Sequence, residues 1–242
     1  MDAFELKRFT RMKSPKPSRA ELAEQKRQVR FITQNLEATY GIPHNDRPDN
    51  PLDELIGTIL SQSTTNINSS RAFASLRQRF PDWDAARQAR PASIAAAIKS
   101  GGLAKTKSVV IKNVLEEILA RCGNYDLSFL RTVPLAEAKA FLTSLKGVGP
   151  KTAACVLLFS CDRPVFPMDT HIFRILRRVG LVPEKYSDEQ AHELMESLLP
   201  PKKHYSLHIN LIRHGRLICR PQNPKCSECS LIEHCAFGQT SL

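Results

Sequence analysis

Residues 145–154 read LKGVGPKTAA. An apolar helix ends at Leu145, a turn of Gly147, Val148 and Gly149 follows, and Pro150 suits the first position of a new helix, where its missing N–H costs nothing. Two glycines let the backbone approach a ligand closely. The amides of the turn and of the helix start together make an anion site suited to a phosphate. Such contacts anchor a nucleic-acid backbone and read no sequence. An ordinary helix–helix turn has the same outline, so the string alone leaves both readings open. Lys151 begins the new helix. It is either a phosphate-binding lysine or a nucleophile, since the positive end of a helix and partial burial both disfavour a further positive charge and so favour the reactive amine. A phosphate bound nearby would oppose that effect.

Outward from the hairpin the punctuation is helical throughout. Ser18 with Glu21 makes a capping box that opens a helix towards Tyr40, stopped by Gly41. Asn50 and Pro51 open a helix over 52–61. Further helices are expected near 66–79, 91–99, 103–121, 135–144, 150–161, 169–179, 188–198 and 203–218, with Ser187 and Gln190 as a second capping box. About ten helices without a strand define an all-α protein. Residues 1–28 read as a basic tail leading into the first helix.

Asp169 precedes a helix with apolar Ile172, Phe173, Ile175 and Leu176. As an N-cap it would accept backbone N–H bonds. A helix from 151 to 161 advances about 15 Å, and an extended return to 169 can span about 20 Å, so chain length permits Asp169 to lie beside Lys151. An ionised carboxylate facing a sugar can stabilise an oxocarbenium-like transition state.

Cys219, Cys226, Cys229 and Cys235 are separated by six, two and five residues. Four thiols in so short a span point to a metal centre rather than disulfides. A four-cysteine zinc site is one reading, although common zinc modules use paired Cys-x-x-Cys units and only one such unit occurs here. Arg220 and Lys225, between the first two cysteines, can reach phosphates. Cys122, Cys155 and Cys161 receive no role.

The chain has 242 residues, with 35 Lys+Arg against 24 Asp+Glu and a formal net charge of +11, which favours a polyanionic partner, nucleic acid first. No apolar run approaches a membrane span, so no membrane partner is expected. The start carries no apolar stretch, and the expectation is that there is no secretory signal. A reducing compartment follows, the cytoplasm with the nucleoid in a bacterial cell.

The strings LKGVGPKTAACVL, PMDTHIFRILRRVG and ILSQSTTNINSSRA, with the cysteine spacing, resemble the endonuclease III family of the helix–hairpin–helix DNA glycosylase superfamily over roughly residues 30–235. The resemblance implies two helical lobes with a DNA-binding groove between them: a six-helix barrel at 53–163 carrying the helix–hairpin–helix motif, and a discontinuous domain of 29–52 plus 164–242 carrying a C-terminal [4Fe-4S] cluster on the four cysteines. It implies Lys151 as nucleophile and Asp169 as essential carboxylate. It implies DNA contacts at Gly147, Val148, Gly149 and Thr152, and side chains from Gln62, Ser63 and Leu103 that fill the stack vacated by a flipped base. An inward-packing helix-start leucine is the alternative for Leu103. The partner implied is double-stranded DNA containing damaged bases or abasic sites, met by a monomer. The activity implied is base excision with AP lyase chemistry on oxidised pyrimidines. Its rivals are a monofunctional glycosylase for alkylated or mismatched bases and a non-catalytic DNA-binding module. The chain departs from the family pattern at Ser63, where glutamine is usual, and at Asn66, Gly101 and Pro150. These departures bear on lesion preference and opposite-base contacts.

Overall fold

The computed structural model describes residues 18–45 and 49–241; residues 1–17 of the expected basic tail lie outside the described residues. Among the described residues there are twelve α-helices and no strand. They are α1 (Arg19–Tyr40), α2 (Pro51–Ser61), α3 (Asn66–Arg79), α4 (Trp83–Gln88), α5 (Pro91–Ala97), α6 (Ala104–Cys122), α7 (Leu135–Ser144), α8 (Pro150–Phe159), α9 (Thr170–Arg178), α10 (Asp188–Leu198), α11 (His204–Leu217) and α12 (Ala236–Ser241). Both expected capping boxes form, Ser18 with Glu21 and Ser187 with Gln190. Asn50 caps α2 by accepting from the amides of Leu52 and Asp53 at 2.9 and 3.2 Å. The short α4 and α12 are additional to the sequence expectation. Helix α4 is opened by Asp82, which accepts from the Ala85 amide, and is anchored by buried Trp83, whose indole N–H donates to Asp53 at 3.0 Å.

Two hydrophobic clusters form. The first runs from Leu52 to Val165 and joins α2 through α8. The second combines Val29, Ile32 and Leu36 of α1 with residues from Phe166 to Cys235. Consecutive residues Val165 and Phe166, both 0% exposed, therefore point into different cores. The clusters meet where α8 reaches α11: the Phe159 ring stands edge-on to Tyr205 and His208, with centroids at 5.9 and 5.3 Å. Lys139 of α7 pairs with Glu196 of α10 at 2.6 Å across the same junction. Asn45 donates to the Phe159 carbonyl at 2.9 Å, tying the α1–α2 connection to the end of α8.

Burial pushes the ring pKa of His192 and of His204 below the usual histidine value. The unfolded chain takes these protons at about pH 6.5, so below that pH it binds more protons than the folded chain. Their contribution to stability is therefore complete above about pH 6.5 and is lost as pH falls through the folded values. The urea midpoint is expected to drop between pH 7.5 and 5.0, and the double variant His192→Gln/His204→Gln is expected to flatten that drop; equal slopes for the two proteins would contradict the assignment.

Candidate active site

The hairpin closes with Val148 donating to the Leu145 carbonyl at 3.0 Å. Gly147 has φ +91°, and a Cβ there would lie 2.7 Å from Cγ1 of Val110 on α6, so conformation and space both require glycine. Gly149 differs: nothing in the protein lies within 4 Å of where its Cβ would be, and its φ of −88° suits any residue. Its bare backbone faces open space. The amides of Gly147, Gly149, Lys151 and Thr152 have no hydrogen-bond partner among the described residues. Unbonded amides at a turn and helix start are donors that an anion can use. Val148, expected among the contact residues, is 4% exposed in the first cluster, and its amide donates to the Leu145 carbonyl. Thr152 is also buried, and its hydroxyl accepts from the Gln62 side-chain amide at 3.4 Å.

That bond brings the loop after α2 against the start of α8. The same loop is held from the other side by Lys107 of α6, a residue that sequence reasoning passed over. Its buried ammonium donates to the carbonyls of Leu60, Gln62 and Gly101 at 2.8, 2.7 and 2.8 Å. Ser63 and Leu103 both adopt left-handed backbone, φ 52° and 48°. Leu103 is 60% exposed, which rules out inward packing.

Lys151 is half-buried in the first turn of α8 and has no hydrogen-bond or ion-pair partner among the described residues. Asp169 caps α9 by accepting from the Ile172 amide at 2.8 Å. Lys151 and Asp169 are neither hydrogen-bonded nor ion-paired to each other. A capping carboxylate keeps one oxygen for a substrate, and an unpaired lysine amine keeps its lone pair available once deprotonated.

The seven cysteines are all free thiols. Burial pushes the Cys229 thiol up, and the charges of Cys219, Cys235 and Cys226 push it further. Cys235 is pushed up by burial first, then by Cys219 and Cys226. The four sulfurs thus lie in one another's fields and would repel as thiolates without a cation among them. Donors point at them: Arg178 reaches Cys219 Sγ at 3.3 Å and the Gly238 amide reaches Cys235 Sγ at 3.3 Å. Among the described residues no three His, Cys, Asp or Glu side chains converge to hold a single metal ion. Four thiols held in one another's fields are a donor set that suits a metal centre. Cys155 and Cys161 are buried in the first cluster, and burial pushes the Cys161 thiol up to about 11, so it is a core residue and not a reactive one. Arg220 is exposed, whereas Lys225, expected to face phosphate, pairs with Glu228 at 3.0 Å. That exposed pair is weak and exchangeable.

The family described as HhH-GPD superfamily base excision DNA repair protein matches residues 56–201. A putative DNA glycosylase of Arabidopsis thaliana is 40% identical over 178 residues, covering 74% of this chain; the chain spans 58% of that relative's length. Endonuclease III of Thermotoga maritima is 32% identical over 195 residues, covering 81% of this chain and 87% of that protein. The structure of a trapped endonuclease III–DNA covalent intermediate shares the fold with a TM-score of 0.77 at 22% identity, covering 89% of this chain and 98% of that one.

One arginine ties the cysteine loop to α9. Arg174 donates to the Cys219 carbonyl and the Gly215 carbonyl, each at 2.9 Å, and its guanidinium lies 3.1 Å from His171 Nδ1. A Cβ on Gly215 would sit 2.8 Å from His171 Cβ, an atom with no freedom to swing away. Gly215→Ala is therefore expected to push α9 off α11 and to cost about 1–3 kcal/mol, read as a lowered urea midpoint; unchanged stability would show that the contact has slack.

Proposed function

The chain belongs to the HhH-GPD superfamily of base excision DNA repair proteins, as an endonuclease III-like member, and we propose that it is a DNA glycosylase with AP lyase activity. The observation that carries this reading is the unpaired Lys151 in the first turn of α8, behind a hairpin whose amides are free and whose Gly149 presents bare backbone. A phosphate on those amides fixes the DNA strand. Leu103 enters the stack, and the damaged nucleotide turns out towards α8 and the cap of α9. Extrusion costs a few kcal/mol, least where the base is damaged or badly paired.

The Lys151 amine then attacks C1′ of the extruded nucleotide. The N–C1′ bond to lysine forms as the glycosidic bond breaks, and the base leaves with the bonding pair and a proton. Asp169, with one carboxylate oxygen on the Ile172 amide and the other left for the sugar, stabilises positive charge there and assists proton transfer. The lysine nitrogen then loses its remaining proton as the C1′–O4′ bond breaks and O4′ takes up a proton, and the resulting Schiff base acidifies the C2′ proton. Its removal expels the 3′ phosphate by β-elimination and breaks the strand. Oxidised pyrimidines in duplex DNA are the proposed substrates and a monomer the proposed working form. The basic charge favours the phosphate backbone and predicts salt-sensitive binding.

Cys219, Cys226, Cys229 and Cys235 would hold a [4Fe-4S] cluster whose part is structural. It would fix the loop carrying Arg220 and, through Arg174 and Arg178, the C-terminal side of α9. Purified protein is expected to be brown, with about four irons per chain and broad absorbance near ~400 nm. Colourless protein carrying one zinc per chain would refute the cluster.

Borohydride trapping on an oxidised-pyrimidine duplex tests the chemistry. Wild type is expected to form a covalent adduct, and Lys151→Ala to lose it by roughly a thousandfold or more. Asp169→Asn keeps a good N-cap, so it is expected to fold normally while the rate falls by about a hundredfold or more. Base release without any trapped adduct would assign the attack to water, and binding without turnover would leave only a DNA-binding module.

A further inference from the structure

Lys107 closes the first turn of α6 and begins its buried face, where an aliphatic residue would pack without desolvating a charge. It is 3% exposed. Its three ammonium protons are matched by three neutral carbonyls, those of Leu60, Gln62 and Gly101. No carboxylate pairs with it among the described residues. Burial lowers its pKa, which marks the desolvation that this placement incurs. Carbonyls alone return less to a buried ammonium than a carboxylate does. A cation kept under those terms is kept for geometry.

The geometry concerns two loops far apart in sequence. Leu60 and Gln62 end α2 and lead into Ser63; Gly101 ends the turn before Leu103. Gly101 itself is pressed into place, since a Cβ there would lie 3.0 Å from Ala72 Cβ. Beyond the three anchored carbonyls, the tips Ser63 and Leu103 hold left-handed backbone that non-glycine residues seldom adopt. Such conformations persist where the surroundings over-determine them. We propose that Lys107 is a positioning residue that sets the spacing and stiffness of the Ser63 and Leu103 loop tips, so that both enter the DNA stack as one tool when a nucleotide is extruded. The proposal rests on the glycosylase reading. A tip that displaces stacked bases must not yield against its own backbone, and one ammonium serving both loops meets that need without touching DNA.

The test uses duplex DNA with 2-aminopurine opposite a tetrahydrofuran abasic analogue. Fluorescence reads unstacking and anisotropy reads affinity, with single-turnover excision measured separately on an oxidised-pyrimidine duplex. Wild type is expected to raise the fluorescence. Lys107→Met is expected to lose at least fivefold of that rise and at least tenfold in excision rate, with Kd within about threefold of wild type, and Leu103→Ala is expected to lose the rise as well. Where Lys107→Met does not fold, Lys107→Gln, which keeps two donors, is expected to show a graded loss of unstacking at native helix content. Full unstacking and full rate in a folded Lys107 variant would overturn the proposal, as would a rate loss matched entirely by a loss of affinity. The wild-type arm separates the two readings. Wild type that neither excises nor traps ends the glycosylase reading and this inference with it, whereas active wild type with an indifferent Lys107 variant ends this inference alone.

Discussion

The approach of the hairpin backbone to α6 is the constraint on which the site depends. Gly147 turns through φ +91° with its Cα against the Val110 side chain, and a single methyl group there would meet Val110 at 2.7 Å. That contact seats the turn between α7 and α8 against α6. The direction of α8, and hence of Lys151 and the unbonded amides, follows from it. Val148 locks the turn from within by giving its side chain to the core and its amide to Leu145. The outward face is left to the exposed backbone of Gly147 and Gly149. The two glycines thus serve different needs: Gly147 is demanded by the protein, and Gly149 is demanded by nothing inside it.

A second chain of contacts sets the start of α9. The cysteine loop folds back on this helix, and two arginines of α9 bind its carbonyls: Arg174 at Cys219, and Arg178 at Arg220 and Pro221 at 2.7 and 3.0 Å. Arg174 also holds the Gly215 carbonyl. The same helix therefore carries the capping carboxylate at one end and the cysteine loop along its flank. A shift of that loop moves the helix as a body, because the contact at Gly215 has no spare volume.

Much of this was legible in the sequence wherever the signal is local. Capping boxes, the Asn50 cap, the glycine hairpin and the Asp169 cap each depend on residues within three or four positions, and all form as read. Lys107 was not legible. A lysine on an amphipathic helix usually marks a solvated face, and its three carbonyl partners lie as far as 47 residues away in sequence. No local pattern encodes that. The two short helices were missed because six residues carry too little periodicity to register. Leu103 needed the structure for another reason: a leucine at a helix start reads equally as core or as tip, and only its left-handed backbone and its exposure decide.

The basic charge of the chain acquires a sharper meaning from these contacts. Several cations are used inside the protein, yet their partners are carbonyls. Lys107 holds three, Arg163 holds those of Leu130, Arg131 and Val133 at 3.1, 2.9 and 2.8 Å, and Arg174 and Arg178 hold the cysteine loop. A hydrogen bond to a neutral carbonyl satisfies a donor without cancelling its charge, whereas a salt bridge would do both. These cations therefore order the backbone and still contribute to the field outside. Part of the protein's attraction for a polyanion comes from groups that never reach it, and long-range field and local architecture are supplied by the same side chains.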